Sequence, residues 1–116
     1  MKVYRVSDVQ AVMREGYSAS YVADIQLNQS TDSAGIIIVS ISKGTRTQGH
    51  AHALLEEMFI PMGHIKIGVD AAILDLSSGD VVIVEPYEKH WFEAPADEDA
   101  TIIAVKLPNL KDDKLS

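Results

Sequence analysis

The chain has 116 residues, no cysteine, and seventeen acidic against ten basic residues, for a formal charge of −7. That length suits one domain spanning residues 1–116, and the 47% apolar fraction, with no run of membrane-spanning length, marks a globular chain without a membrane partner. Disulfides, thiolate zinc sites and cysteine nucleophiles are excluded, and the lack of any basic stripe argues against nucleic acid as a partner.

Met1-Lys-Val-Tyr-Arg-Val lacks the apolar core and small-residue cleavage site of a secretory signal, so a cytoplasmic location is expected. Ser7-Asp-Val-Gln10 has the form of a helix capping box, and Val9, Val12 and Met13 fall near helical spacing before Gly16. A short amino-terminal helix over roughly residues 8 to 15 is predicted. Tyr21 to Leu27 reads as a strand, Asn28 to Gly35 as a turn cluster, and Ile36 to Ile41 as an apolar, β-branched strand ended by Lys43-Gly44. Six further strands are predicted at Glu56 to Met62, His64 to Val69, Ala72 to Leu76, Val81 to Glu85, His90 to Ala94 and Ala100 to Leu107. Many short strands with evenly spaced turns imply an all-β antiparallel sandwich or barrel. Asp97-Glu-Asp99 reads as a solvated loop and Lys111 to Ser116 as a frayed terminus, neither with assigned chemistry.

His50 and His52 stand two residues apart, a spacing that puts both side chains on one face of a strand but on nearly opposite faces of a helix. Imidazole nitrogens joined by the carboxylate of Glu56 suit one divalent transition metal: manganese, iron, cobalt, nickel, copper or zinc. His90, which follows a turn around Pro86, is the further histidine that would complete such a site.

These residues resemble the cupin superfamily. Its first motif, Gly, five residues, His-x-His, three or four residues, Glu, six residues, Gly, is matched by Gly44, His50, His52, Glu56 and Gly63. Glu57 also satisfies the looser spacing after His52, but only Glu56 lies six residues before Gly63, and Met58, Ile60 and Met62 share its strand face. In the second motif Gly79 and His90 match, while Glu85, Tyr87 and Ala94 stand where the family has Pro, Gly and Asn. The ligand histidine is kept and the turn before it is not. The motifs span residues 44–63 and 79–94, and the resemblance implies a double-stranded β-helix, or jelly-roll barrel, holding a metal through His50, His52, Glu56 and His90.

Strand parity extends the site. Arg46 and Gln48 share the face of His50 if the strand begins that early, where Arg46 suits a substrate carboxylate or phosphate and Gln48 a ligand hydrogen bond. A solvated loop arginine and a surface glutamine are the bland alternatives. Phe92 alternates with His90 and walls the pocket, whereas Tyr87, Trp91 and Met58 serve equally as packing, and His64 is read as a non-ligand. The resemblance implies a metal-dependent enzyme of isomerase, dioxygenase or lyase type acting on a small polar or anionic metabolite. The competing readings are a non-catalytic sensor or binder of a sugar or organic acid, and a barrel that has lost its metal. No general base outside the ligand set stands out, so catalytic residues are unassigned. The apolar Ile36 to Ile41 strand needs a cover, which predicts a homodimer; the alternative is a monomer whose amino-terminal helix covers that edge.

Overall fold

Alternation of buried and solvent-facing side chains sorts the strands into two sheets that share one interior. The computed structural model describes residues 1–27 and 31–115. In chain order these residues form β1 (Lys2–Tyr4), a single 3-10 turn (Val6–Asp8), β2 (Val12–Arg14), β3 (Tyr17–Ala19), β4 (Gly35–Ile41) and β5 (Glu56–Pro61). There follow β6 (Ile65–Val69), β7 (Ala72–Leu76), β8 (Val81–Val84), β9 (His90–Glu93) and β10 (Ala100–Leu107). One sheet has the order β1-β8-β5-β10-β4 and the other β7-β6-β9, with β2 and β3 forming a separate hairpin. Every ladder is antiparallel.

Phe59, Val82, Val84, Ala100, Ile102 and Ala104 from the larger sheet meet Ile65, Ile67, Val69, Leu76 and Phe92 from the smaller one in a single buried cluster. On β10 the inward residues are Ala100, Ile102 and Ala104, the period of two that a half-buried strand requires. Each fully buried Ile or Phe of this set contributes roughly 1.5–3 kcal/mol relative to exposure. Asp80, 2% exposed, joins the amino terminus to the β7–β8 turn: its carboxylate accepts hydrogen bonds from the Val6 and Ser77 backbone N–H groups and pairs with Arg5 at 2.9 Å. No helix among the described residues is long and apolar enough to cross a membrane.

The amino-terminal helix expected over residues 8 to 15 is not formed. The only helical element near it is the 3-10 turn, which has no side-chain cap, and the chain then folds into the β2–β3 hairpin around Glu15 and Gly16. Gly16 takes φ of 83°, which suits a two-residue hairpin turn, while Met13 is 76% exposed, so a helix here would have had no apolar face to dock. Tyr21 to Leu27 forms no strand either; the strand beside β8 is β1. Asn28 to Ser30, from the expected turn cluster, lie outside the described residues. The remaining expected strands are present within two residues of their expected limits.

The turn before His90 carries Glu85 and Tyr87 and is held by its own backbone hydrogen bonds. Tyr87 itself adopts φ of 68°, the left-handed conformation that glycine takes without strain, and its N–H donates to the His52 carbonyl at 2.6 Å. Glu88 closes the turn by accepting from the Glu85 N–H at 2.8 Å. Tyr87 is 71% exposed, so its ring contributes little packing to offset the strain. Left-handed backbone costs an L residue about 1–2 kcal/mol, and added backbone freedom in the unfolded chain returns about 0.5–1 of that for glycine. Tyr87→Gly is therefore expected to raise unfolding free energy by up to about 1 kcal/mol, with an unchanged urea m-value. A loss of stability would contradict this account of the turn.

Candidate metal centre

The segment from Gly44 to His50 is not a regular strand, yet it lies antiparallel beside β9. The Gly44 N–H donates to the Pro95 carbonyl at 2.7 Å, Ala94 to Thr45 at 3.0 Å and Thr47 to Phe92 at 2.8 Å. His50 and His90 then exchange two backbone hydrogen bonds, of 3.0 and 2.9 Å, as a directly opposed pair. The register slips on the way: Arg46 opposes Glu93 and His50 opposes His90, so four steps on one side span three on the other. That is a β-bulge, and one extra residue reverses the facing of everything before it.

The bulge decides the fate of the expected substrate residues. Arg46 joins Glu93 and Trp91 away from the cavity, with Nε 2.9 Å from Glu93 Oε1 and the guanidinium 4.0 Å above the Trp91 ring. Gln48 is exposed, and neither it nor Arg46 lines the cavity that holds the histidines. Thr47 lines it instead, with its hydroxyl accepting from the Phe92 N–H at 2.9 Å. Phe92 lies in the cavity wall.

His50, His52, Glu57 and His90 each offer one ligand atom, and the four atoms lie within 4.8 Å of one another. The imidazole centroids are 4.5 Å apart for His50 and His90, 5.2 Å for His50 and His52, and 5.7 Å for His52 and His90. The carboxylate in this group is Glu57. Glu56 is also buried, but it lies on the opposite face of β5 and is outside the set. The inward face of β5 is Glu57, Phe59 and Pro61, the reverse of the parity that Met58, Ile60 and Met62 suggested. The one sequence signal for Glu57 was Phe59, an aromatic core candidate two residues after it on the same strand face.

Hydrogen bonds fix how the rings present their nitrogens. His90 Nδ1 donates to the Glu88 carbonyl at 3.1 Å, which leaves Nε2 as the free ring nitrogen. That atom is buried, lies 3.5 Å from Glu57 Oε1, and has no aligned hydrogen-bond partner among the described residues. His52 Nδ1 donates to the backbone carbonyl of Asp113, and its Nε2 faces Glu57 Oε1 at 3.0 Å. A lone pair aimed at a carboxylate is repulsive unless a proton or a cation lies between them. Three imidazoles and one carboxylate are a donor set for a borderline divalent transition metal, so the residues fit such an ion.

Without a metal, a proton bridges the pair. The hydrogen bond to Glu57 raises the His52 pKa above its ordinary 6.5 despite burial. Burial alone would raise that of Glu57, but the hydrogen bond from His52 and the nearby His90 bring it down to about 2. Burial lowers His50, helped by the neighbouring His90, His52 and Lys114 charges.

The cluster forms one wall of a cavity of about 250 Å³, also lined by Ile37, Val39, Phe59 and Phe92 and by Lys106, Lys111 and Lys114. The carboxyl-terminal segment expected to fray is part of this site. Leu115 and Ala51 exchange backbone hydrogen bonds of 2.8 and 2.7 Å, and Asp113 accepts from the N–H groups of Ala53, Leu54 and Leu55. Ser116 lies outside the described residues. A larger cavity of about 450 Å³ includes His64 and Lys66 but none of the clustered ligand residues.

Residues 37–106, more than half of the chain, match the cupin domain. The protein belongs to the cupin family. The two sheets form the double-stranded β-helix found in structural neighbours that are distant in sequence. A cupin protein of Bacteroides fragilis is 18% identical, with 80% of this chain and 91% of that one covered at a TM-score of 0.62. A DMSP lyase of Ruegeria pomeroyi is 18% identical over 73% of this chain and 43% of its own, with a TM-score of 0.64. A variant of the Bacillus subtilis oxalate decarboxylase is 19% identical over 72% of this chain and 24% of its own, also at 0.64. Among curated proteins none matches the sequence.

The metal-free protein should carry both charge shifts into its stability. Glu57 has a depressed folded pKa, so its contribution is present above the usual carboxylate range and is lost as pH falls toward about 2. His52 has a raised folded pKa, so its contribution is full below about 6.5 and is lost as pH rises through the folded value. In chelator-treated protein, urea unfolding should show greatest stability from this pair between roughly pH 5 and 6.5. Glu57→Gln should flatten both arms; an unchanged profile would refute the bridging proton.

Proposed function

We propose that this cupin binds one divalent transition metal, drawn from manganese, iron, cobalt, nickel, copper and zinc, through His50, His52, Glu57 and His90, and acts on a small anionic metabolite. The observation that carries the reading is the convergence of three imidazole nitrogens and one carboxylate on a cavity with three lysines in its wall. A bound divalent ion would supply Lewis-acid polarisation of a substrate oxygen. The chain's own residues do the rest. Lys106, Lys111 and Lys114 supply positive charge for an anionic group, and Lys106 lies directly across the ladder from Glu57. Ile37, Val39, Phe59 and Phe92 limit the space and exclude water around a short apolar body. Two structural neighbours are named as a decarboxylase and a lyase, which supports an enzyme of lyase type.

A second reading, binding without turnover, is favoured by one feature. Outside the four clustered residues, the titratable groups of the cavity wall are the three lysines and Asp113, whose carboxylate is already occupied by backbone N–H groups. Any proton transfer outside the ligand set falls to a lysine. Incubating metal-loaded protein with a panel of small carboxylic and hydroxy acids separates the readings: product supports the enzyme, and saturable binding without product supports the sensor.

Protein purified without a histidine tag is expected to hold about one metal per chain, and His50→Ala with His52→Ala should abolish it while the barrel stays folded. Metal retained by the double variant would refute the site. Lys106→Ala should weaken binding of a small carboxylate by roughly tenfold with metal content unchanged.

The same proposal includes a homodimer in the cytoplasm. β4 lies at the end of the larger sheet, and Ile36 and Ile38 are 65% and 61% exposed on it. Long apolar edges invite pairing, and a second copy is the partner always at hand. Light scattering at micromolar concentration should give roughly twice the 12.7 kDa chain mass; the chain mass itself would contradict the dimer.

A further inference from the structure

The carboxyl-terminal segment carries no metal ligand, yet it is bound to the ligand loop at several points. Asp113 Oδ1 accepts from the Ala53 N–H at 3.0 Å, and Oδ2 accepts from Leu54 at 2.7 Å and Leu55 at 2.9 Å. These three consecutive donors belong to the loop between His52 and Glu57. No regular ladder holds that loop, so Asp113 supplies acceptors that the strands do not. The backbone carbonyl of the same residue accepts the Nδ1–H of His52. One residue therefore fixes both the path of the loop and the orientation of a ring that the loop carries. The Ala51–Leu115 bridge anchors the segment on one side, and the Tyr87 N–H anchors the His52 carbonyl on the other.

A carbonyl can only accept, so His52 must carry hydrogen on Nδ1, and Nε2 is left toward Glu57 and the other histidines. A partner on the far nitrogen of a metal-binding histidine sets its tautomer and orientation, and losing such a partner commonly costs ten- to a hundredfold in affinity. We propose that Asp113 is a positioning residue of the metal centre: its carboxylate gathers the 53–55 backbone and its carbonyl locks His52 as the Nδ1–H tautomer with Nε2 presented to the ligand cluster. The inference rests on the metal-centre reading for its effect on affinity, but the Nδ1–H hydrogen bond to Asp113 can be read without any metal.

The test compares wild type, Asp113→Ala, Asp113→Asn and Asp112→Ala. Asp112 is exposed in the same segment and controls for loss of one negative charge. In chelator-treated protein, nitrogen-15 spectra of the imidazoles should show the His52 Nδ1–H hydrogen-bonded and protected from exchange in wild type and Asp112→Ala. Asp113→Ala should lose that protection. Asp113→Asn keeps one carbonyl acceptor and should lie between. Zinc titration should then give about a tenfold or greater loss of affinity for Asp113→Ala, a smaller loss for Asp113→Asn and none for Asp112→Ala. Wild-type Nδ1–H protection and affinity in folded Asp113→Ala would overturn the inference. If Asp113→Ala does not fold, Asp113→Asn decides alone, and wild-type values for it would also overturn the inference. If wild type binds neither zinc nor any other of the six divalent metals, the metal-centre reading fails while the Nδ1–H hydrogen bond still decides whether Asp113 orients His52.

Discussion

The reciprocal backbone pair between His50 and His90 is the constraint on which the site depends. It joins an irregular segment from one part of the chain to β9 from another, forty residues later by number, and it does so with two hydrogen bonds at one position. Because the pair is directly opposed, both imidazoles must leave the ladder on the same face. The bulge just before it turns Arg46 outward to Glu93 and Trp91 while His50 stays inward. A regular ladder would have kept the two on one face, and a large cation would then have shared the wall with the histidines.

The second constraint is electrostatic. Glu57 is the acidic side chain of the candidate metal cluster among the described residues, and it is buried against two histidines, with a lysine across the ladder. Burial of a lone carboxylate would be costly, and partners of opposite charge offset that cost. A proton on His52 and a divalent cation among the ring nitrogens answer the same need, so the two compete for the same nitrogen. The lysines of the wall do not compete for that position, which leaves them available to an anion entering the cavity.

Most of the fold was legible because strand alternation and turn residues are local signals. Ala72 to Leu76 and Ala100 to Leu107 form strands with those limits, and His50, His52 and His90 lie near one another. What stayed hidden depends on contacts distant in sequence. The capping-box pattern at Ser7 could not reveal that Met13 would find no core, so a hairpin forms where a helix was expected. Parity counted from His50 could not detect a bulge that exists only against β9, and Gln48 and Arg46 were misplaced for that reason. Two adjacent glutamates on one strand differ only in facing. The choice between Glu56 and Glu57 is set by the β5 register against β10 and β8, which no spacing rule contains. The tail looked polar and dispensable, and only the fold shows that Asp113 meets three backbone donors around residue 54.

The central claim is that the ligand set is three histidines with Glu57, not with the equally buried Glu56. Metal affinity measured side by side for Glu57→Gln and Glu56→Gln, with folding checked by circular dichroism, tests it directly. The account predicts a loss of ten- to a hundredfold or more for Glu57→Gln and near wild-type affinity for folded Glu56→Gln. The reverse order, or equal affinity in both variants, would contradict it.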